Sequence, residues 1–186
     1  WAKDEPQTVW QPQLYEFMTQ VIERYKDRPS LVSYQLENEY FLDVFGDCPD
    51  HSRERLVEEY DLVKSLDPNT PVIVTRSNNA LPSWPVGEPR ADMIGASIYK
   101  RVLDGTVTKR YFEYPLPPWF YALLAGGAEL TTGRNTFIHE MQTEPWAPSG
   151  MTNPTIEEQD KSLSAEDLPG RIQYGVDTGM RTIDLW

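Results

Sequence analysis

The stretch SLVSYQLENE, residues 30–39, decides the fold class of this chain. Its first part, residues 30–36, is short, apolar and β-prone, and three polar residues follow it at once, as is typical of a buried strand that ends in a loop. Apolar residues recur every three or four positions over residues 12–26, which predicts a helix with Pro12 in its first turn. A second helix is expected over residues 52–66. A strand therefore lies between two helices.

Four further segments have the length and composition of strands, and helical stretches separate them. They are PVIVT at residues 71–75, DMIGASI at 92–98, NTFIH at 135–139 and MRTIDLW at 180–186, with helices expected over 117–125 and 165–176. Several of these strands are apolar throughout, which favours a parallel α/β sheet that is covered on both faces. An open doubly wound sheet and part of a (β/α)8 barrel both fit this pattern, and periodicity does not choose between them.

The composition is typical of one soluble globular unit. Apolar residues make up 39% of the 186 residues, and a net charge of −12 without a run of Lys or Arg argues against a nucleic acid partner. No stretch has the length and apolarity of a membrane segment, and neither a Rossmann glycine motif nor a P-loop is present, so we expect no membrane span and no cofactor. Cys48 is the only cysteine, which leaves the cellular compartment open.

Two acidic residues stand at the ends of predicted strands. Glu39 follows the strand at residues 30–36, and Glu140 follows the strand at 135–139. A carboxylate at such a position is costly unless it is used, although an acidic loop in an acidic protein is the simpler interpretation. Hydrolysis of a glycosidic bond requires two carboxyl groups, one that acts as an acid and one that attacks or activates water. The pair therefore predicts glycosidase chemistry.

Other side chains are weaker candidates. Glu37 should point away from Asn38 in an extended segment, and Glu144 lies beyond the strand end. His51 and His139 lack the spacing of a metal site, and His139 is expected to point away from Glu140, so we expect no metal.

Tryptophan side chains are candidates for sugar contact, because the C–H faces of sugars stack on indole rings. We expect this contact for Trp146 and Trp186. Trp119 is expected to pack against the sheet instead, because aromatic residues at helical spacing are usually buried. The long polar segment at residues 143–164 follows a strand and is a candidate active-site loop.

With these residues in place, the sequence resembles the clan A glycoside hydrolases, (β/α)8 barrels that carry Asn-Glu after strand four and a nucleophilic Glu after strand seven. Asn38-Glu39 and Glu140 occupy those places if residues 30–36 form strand four and residues 180–186 form strand eight. The resemblance implies that Glu39 is the acid/base, that Asn38 bonds the 2-hydroxyl of the substrate and that Glu140 is the nucleophile.

The resemblance extends to two aromatic residues. Tyr99 follows strand six, where a tyrosine of the clan often contacts the nucleophile, and Trp186 stands at strand eight, where a tryptophan often forms the floor of the subsite. The phrases YQLENEY and FIHEMQTEPW look most like cellulase-like proteins near glycoside hydrolase family five. The resemblance implies that residues 1–186 are the C-terminal part of a single TIM barrel domain, an incomplete barrel that covers strands four to eight.

The expected function is that of a retaining glycoside hydrolase, which cleaves β-glycosidic bonds of an oligo- or polysaccharide through a covalent glycosyl-enzyme. One alternative is a non-catalytic carbohydrate-binding barrel protein that binds sugar without forming the intermediate. Another is an unrelated α/β protein whose acidic residues lie at strand ends by chance. The first two functions share a carbohydrate partner, and only the first requires both Glu39 and Glu140.

Overall fold

The computed structural model describes residues 4–40, 42, 52–77, 90–105, 107–146 and 151–186. Cys48 and His51 lie outside these ranges. Twelve helices and strands occur in the described part of the chain. In chain order they are α1 (Gln7–Tyr25), β1 (Tyr34–Leu36), α2 (Arg53–Leu66), β2 (Val72–Ser77), β3 (Met93–Ile98), β4 (Arg101–Leu103), β5 (Tyr111–Glu113), α3 (Pro118–Thr132), β6 (Asn135–Met141), α4 (Ile156–Asp160), α5 (Leu168–Asp177) and β7 (Ile183–Leu185).

Five of the strands form one parallel sheet in the order β1-β2-β3-β6-β7, and the sheet is curled like half of a barrel. Each of the five segments predicted from the sequence contributes one strand, so the parallel α/β arrangement is confirmed. Neighbours in the sheet are also successive sheet strands along the chain. The carboxyl ends of all five strands therefore lie along the same edge.

The helices cover the outer face of the sheet. Leu36, Val72 and Val74 pack with α1 and α2 in one apolar cluster. A second cluster joins Ile98 and Ile138 to α3 and α5, together with Ala96, Met141 and other apolar residues of these elements. Because side chains alternate along a strand, the residues between these apolar positions face the concave inner side.

Local sequence explains most of the helix boundaries. Ser52 caps α2, and its side chain accepts a hydrogen bond from the backbone of Arg55. Gly133 ends α3 with φ at 69°, a left-handed conformation that glycine adopts at little cost. Ser164 and Asp167 exchange hydrogen bonds just before α5, as a capping box does.

Some predictions from the sequence were incomplete or wrong. The first helix begins at Gln7, and Pro12 lies inside it rather than in its first turn, because Trp10 is buried and holds the preceding turn in place. The antiparallel pair of β4 and β5 and the short helix α4 were not predicted. None of the helices in the described ranges is long and apolar enough to cross a membrane.

Candidate active site

A cleft of about 730 Å³ opens at the carboxyl ends of the parallel strands. All six residues proposed from the sequence line it: Asn38, Glu39, Tyr99, Glu140, Trp146 and Trp186. Glu140 lies at the end of β6, and the other five come from the segments that follow β1, β3, β6 and β7, which are far apart in the chain. The parallel sheet brings them together because it places the ends of its strands at one edge.

Glu39 lies in a tight turn directly after β1. Glu37 and Glu39 have φ values of 53° and 45°, which are left-handed conformations that cost a residue other than glycine about 1–3 kcal/mol. The backbone N–H of Glu39 donates a 2.8 Å hydrogen bond to Thr75 Oγ1 on the neighbouring strand β2. Thr75 therefore holds the turn in this conformation and directs Glu39 into the cleft.

The Glu39 side chain is only 4% exposed, and its environment favours the protonated form. Burial raises the pKa of Glu39, and the negative charge of Glu140 raises it further, while the hydroxyl groups of Ser97 and Ser77 lower it. Glu39 Oε1 is buried without a hydrogen-bond partner among the described residues. A raised pKa is the property that a carboxylic acid needs in order to donate a proton near neutral pH.

Glu140 enters the cleft because β6 contains a bulge. Ala96 of β3 pairs with Ile138, whereas the next residue, Ser97, pairs with Glu140, so His139 is an extra residue on β6. A bulge of this kind turns two successive side chains toward the same side of a sheet. The expectation that His139 points away from Glu140 was therefore wrong, because both residues line the cleft.

Tyr99 is hydrogen-bonded to Glu140. Its Oη donates to Glu140 Oε2 at 2.6 Å, and both side chains are more than nine-tenths buried, at 7% and 8% exposed. Burial raises the pKa of the Tyr99 hydroxyl, and the bond to Glu140 raises it further, so the hydroxyl stays a donor. This contact fixes one carboxylate oxygen of Glu140 in the cleft.

We expect Tyr99→Phe to lower kcat/KM roughly 10- to 100-fold, because a hydrogen bond to a charged group contributes about 1.5–3 kcal/mol. The measurement is steady-state hydrolysis of an aryl β-glycoside. Tyr114→Phe, which removes a hydroxyl from another tyrosine of the same cleft, is the matched control. Equal losses in the two variants would mean that the bond to Glu140 is not the cause.

Two tryptophans form aromatic walls of the cleft. The Trp146 ring lies 4.5 Å from the Tyr99 ring, and Ser162 Oγ accepts a 2.7 Å hydrogen bond from the Trp146 backbone. Trp186 continues the pairing of β7 with β6, since its N–H donates to the carbonyl of Met141. Trp119 does not pack against the sheet as expected. It is 65% exposed, because Tyr121 is the α3 residue that turns toward the core.

Glu37 and Glu144 have other partners. Arg55 Nη1 lies 3.0 Å from Glu37 and 2.8 Å from Glu59, so an ion-pair network on α2 engages the Glu37 carboxylate. Glu144 is exposed and accepts a hydrogen bond from the indole of Trp146. Neither carboxylate has the buried setting of Glu39 and Glu140.

Reasoning from the sequence missed the polar residues that support this site. Thr75 and Ser77 lie on the inner face of β2 and Ser97 on that of β3, and their spacing of two residues, or their place among apolar residues, was the available signal. His139 could not have been found, because strand alternation alone places it opposite Glu140. In the described ranges, no group of three or more His, Cys, Asp or Glu side chains is arranged to hold a metal ion.

This chain is similar to known proteins in structure only. No protein-family model matches the sequence, and no curated protein matches it. Among solved structures, a β-D-glucuronidase of Dictyoglomus thermophilum superposes with a TM-score of 0.62 at 16% identity and covers 92% of this chain. A GH2 β-galacturonidase of Eisenbergiella tayi bound to galacturonate gives a TM-score of 0.60 at 18% identity over 94% of the chain, and the structure with bound glycerol gives 0.61 at 17% over 94%.

The chain spans 28–29% of the length of the chains in these three structures. At such identities the likeness concerns the fold, and it lends no support to the narrower resemblance to family five. The described part of this chain thus has the fold of one portion of glycoside hydrolases, with two buried carboxyl groups at the carboxyl ends of its strands.

Proposed function

We propose that this chain carries the catalytic carboxyl pair of a retaining β-glycosidase. The observation that carries the proposal is that Glu39 and Glu140 line one cleft in different settings. Glu39 has a raised pKa, and Glu140 accepts a hydrogen bond from Tyr99. A carboxylic acid with a raised pKa suits the role of proton donor, and a carboxyl group oriented by a hydrogen bond suits the role of nucleophile.

In the proposed reaction, Glu39 donates its proton to the departing glycosidic oxygen while a carboxylate oxygen of Glu140 attacks the anomeric carbon. The glycosidic bond breaks and a glycosyl ester forms on Glu140. Glu39, now ionised, removes a proton from water, which attacks the anomeric carbon and releases the sugar and Glu140. Asn38 bonds the 2-hydroxyl, and Trp146 and Trp186 stack against the sugar.

We further propose that the chain is the C-terminal part of a (β/α)8 barrel, with its five parallel strands as strands four to eight. The curled sheet supports this assignment, and so do the structural neighbours, which are several times longer. The rest of the barrel would complete the subsite. Experiments therefore require the full-length protein.

The sugar is the open part of the proposal. The structural neighbours act on glucuronides and galacturonides. The carboxylate of such a sugar is expected to bind a Lys or Arg side chain in the cleft. Among the described residues that line the cleft there is no Lys or Arg side chain. The substrate panel should therefore include neutral β-glycosides beside the uronides.

The direct test treats the full-length protein with a panel of 2-fluoro glycosyl fluorides, which form long-lived glycosyl-enzymes, and locates the label by peptide mass spectrometry. We expect one label, on Glu140, with the reactive sugar identifying the substrate class. Protein that is folded and binds glycans but takes no label would support the non-catalytic carbohydrate-binding alternative instead. A label on another residue would show that the nucleophile is assigned wrongly.

A further inference from the structure

A row of polar side chains crosses the concave face of the sheet beside the candidate active site. Asp184 Oδ2 on β7 lies 3.3 Å from His139 Nδ1 on β6, but this contact is not a hydrogen bond, and Nδ1 has no hydrogen-bond partner among the described residues. His139 Nε2 lies 2.8 Å from Gln35 Oε1 on β1, and Gln35 Nε2 donates a 2.9 Å hydrogen bond to Asn38 Oδ1. The row ends next to Glu39, at the residue proposed to bond the substrate.

The backbone provides the room that this row requires. The bulge in β6 turns His139 inward, toward Gly95 of β3, which itself pairs with Phe137. A Cβ atom at Gly95 would lie 2.8 Å from His139 Cβ and 3.0 Å from Thr75 Cγ2, which is closer than such atoms pack. The His139 ring also packs edge-on against Phe137, with ring centroids 5.6 Å apart. The imidazole is therefore held in one place.

We propose that His139 is a positioning residue, which acts through Gln35 to hold Asn38 as a hydrogen-bond donor toward the substrate. This inference rests on the proposed function. An amide has one accepting end and one donating end, so the orientation of Gln35 determines which end it offers to Asn38. In the tautomer with its proton on Nε2, His139 donates a hydrogen bond to Gln35 Oε1. The Gln35 NH₂ group then points to Asn38 Oδ1.

Asn38 is oriented in turn. Its Oδ1 accepts the bond from Gln35, so the group that it offers to a ligand in the cleft is its NH₂. In the other tautomer of His139, Nε2 carries no proton and accepts a hydrogen bond. Gln35 would then have to turn its NH₂ group to the ring and its oxygen to Asn38. Asn38 would in that case present its oxygen, an acceptor, to the ligand. His139 thereby determines whether Asn38 offers a hydrogen-bond donor or an acceptor to the sugar, although His139 does not contact the sugar itself.

The test is a double-mutant cycle in the full-length protein, with His139→Phe, Asn38→Ala and the double variant. The substrate is the aryl β-glycoside of the sugar that labels the enzyme. We expect His139→Phe to lower kcat/KM roughly three- to tenfold, since it weakens one neutral hydrogen bond to the substrate. The double variant should be no slower than Asn38→Ala alone, because His139 acts through Asn38. Losses that multiply would overturn the proposal.

A second comparison separates this role from a merely structural one. With the matching 2-deoxy glycoside, which lacks the hydroxyl that Asn38 bonds, the His139→Phe variant should be as fast as the unmodified protein. A loss that persists with the 2-deoxy substrate would overturn the proposal. Labelling of His139→Phe by the 2-fluoro sugar, which also lacks the 2-hydroxyl, verifies that the site is intact.

If His139→Phe is not labelled, the same double-mutant cycle is carried out with Gln35→Met in its place. This substitution removes the amide between His139 and Asn38, and Gln35 is exposed. An unchanged kcat/KM in Gln35→Met would overturn the proposal. Failure of this inference is distinguishable from failure of the proposed function. An unmodified protein that is neither labelled nor active on any sugar contradicts the function, whereas a labelled protein with multiplying losses contradicts only the role of His139.

Discussion

Glu140→Ala is expected to lower kcat by on the order of 10⁴-fold or more, because the variant lacks the carboxylate that is proposed to form the covalent intermediate. The 2-fluoro sugar should no longer label the protein. Azide, a small anion that fits the space of the lost carboxylate, should restore turnover of an activated aryl β-glycoside. Because azide would then attack from the side that Glu140 occupied, the product should be the α-glycosyl azide, and NMR of the product checks this.

Glu144→Gln is the matched control for this variant. Glu144 lies four residues along the chain, is exposed and bonds Trp146, so its loss should alter sugar affinity more than the chemical step. A Glu140→Ala protein with near-normal kcat, or a loss of labelling in Glu144→Gln instead, would show that the nucleophile is elsewhere.

Glu39→Ala is expected to slow hydrolysis by about 10²- to 10⁴-fold, the range for removal of a general acid/base. The loss in the first chemical step should depend on the substrate. It should be large for a poor leaving group that needs a proton and small for a dinitrophenolate that departs without one. Azide should rescue the second step by attacking the glycosyl-enzyme, and the product should be the β-glycosyl azide. Opposite azide products from the two variants would identify the two roles.

The pH dependence gives an independent readout of Glu39. Burial raises the pKa of Glu39 above its ordinary value of 4.5, so the protonated, active form persists to higher pH, and kcat/KM should fall as pH rises through the shifted pKa. This basic limb should disappear in Glu39→Ala. Glu37→Gln, which changes a carboxylate of the same turn that is bound to Arg55, should keep the limb. A limb that survives in Glu39→Ala would assign the acid to another group.

The backbone departs from regular geometry at both carboxyl groups. Thr75 and Arg55 hold the left-handed residues of the turn after β1, and a bulge in β6 displaces Glu140 from regular alternation. Both departures from ideal geometry lie where the sheet meets the cleft. Backbone strain of this kind persists where surrounding contacts determine the conformation, and it is concentrated at functional sites.

Local sequence patterns were sufficient to predict the five parallel strands, the helices between them and the placement of Glu39 and Glu140 at strand ends. These features follow from patterns within about ten residues, since strand and helix periodicity and capping residues act locally. Tyr99 was proposed through the resemblance to the clan, Trp146 because indole rings stack on sugars, and Trp186 on both grounds.

Only the tertiary structure decided the direction in which several side chains point. Alternation along β6 predicted that His139 would face away from Glu140, but pairing with β3 introduced the bulge that turns both inward. Trp119 was expected in the core, yet Tyr121 occupies it. The raised pKa of Glu39 likewise depends on burial and on Glu140, about one hundred positions away in the chain. These properties arise from contacts between distant segments, which local periodicity does not encode.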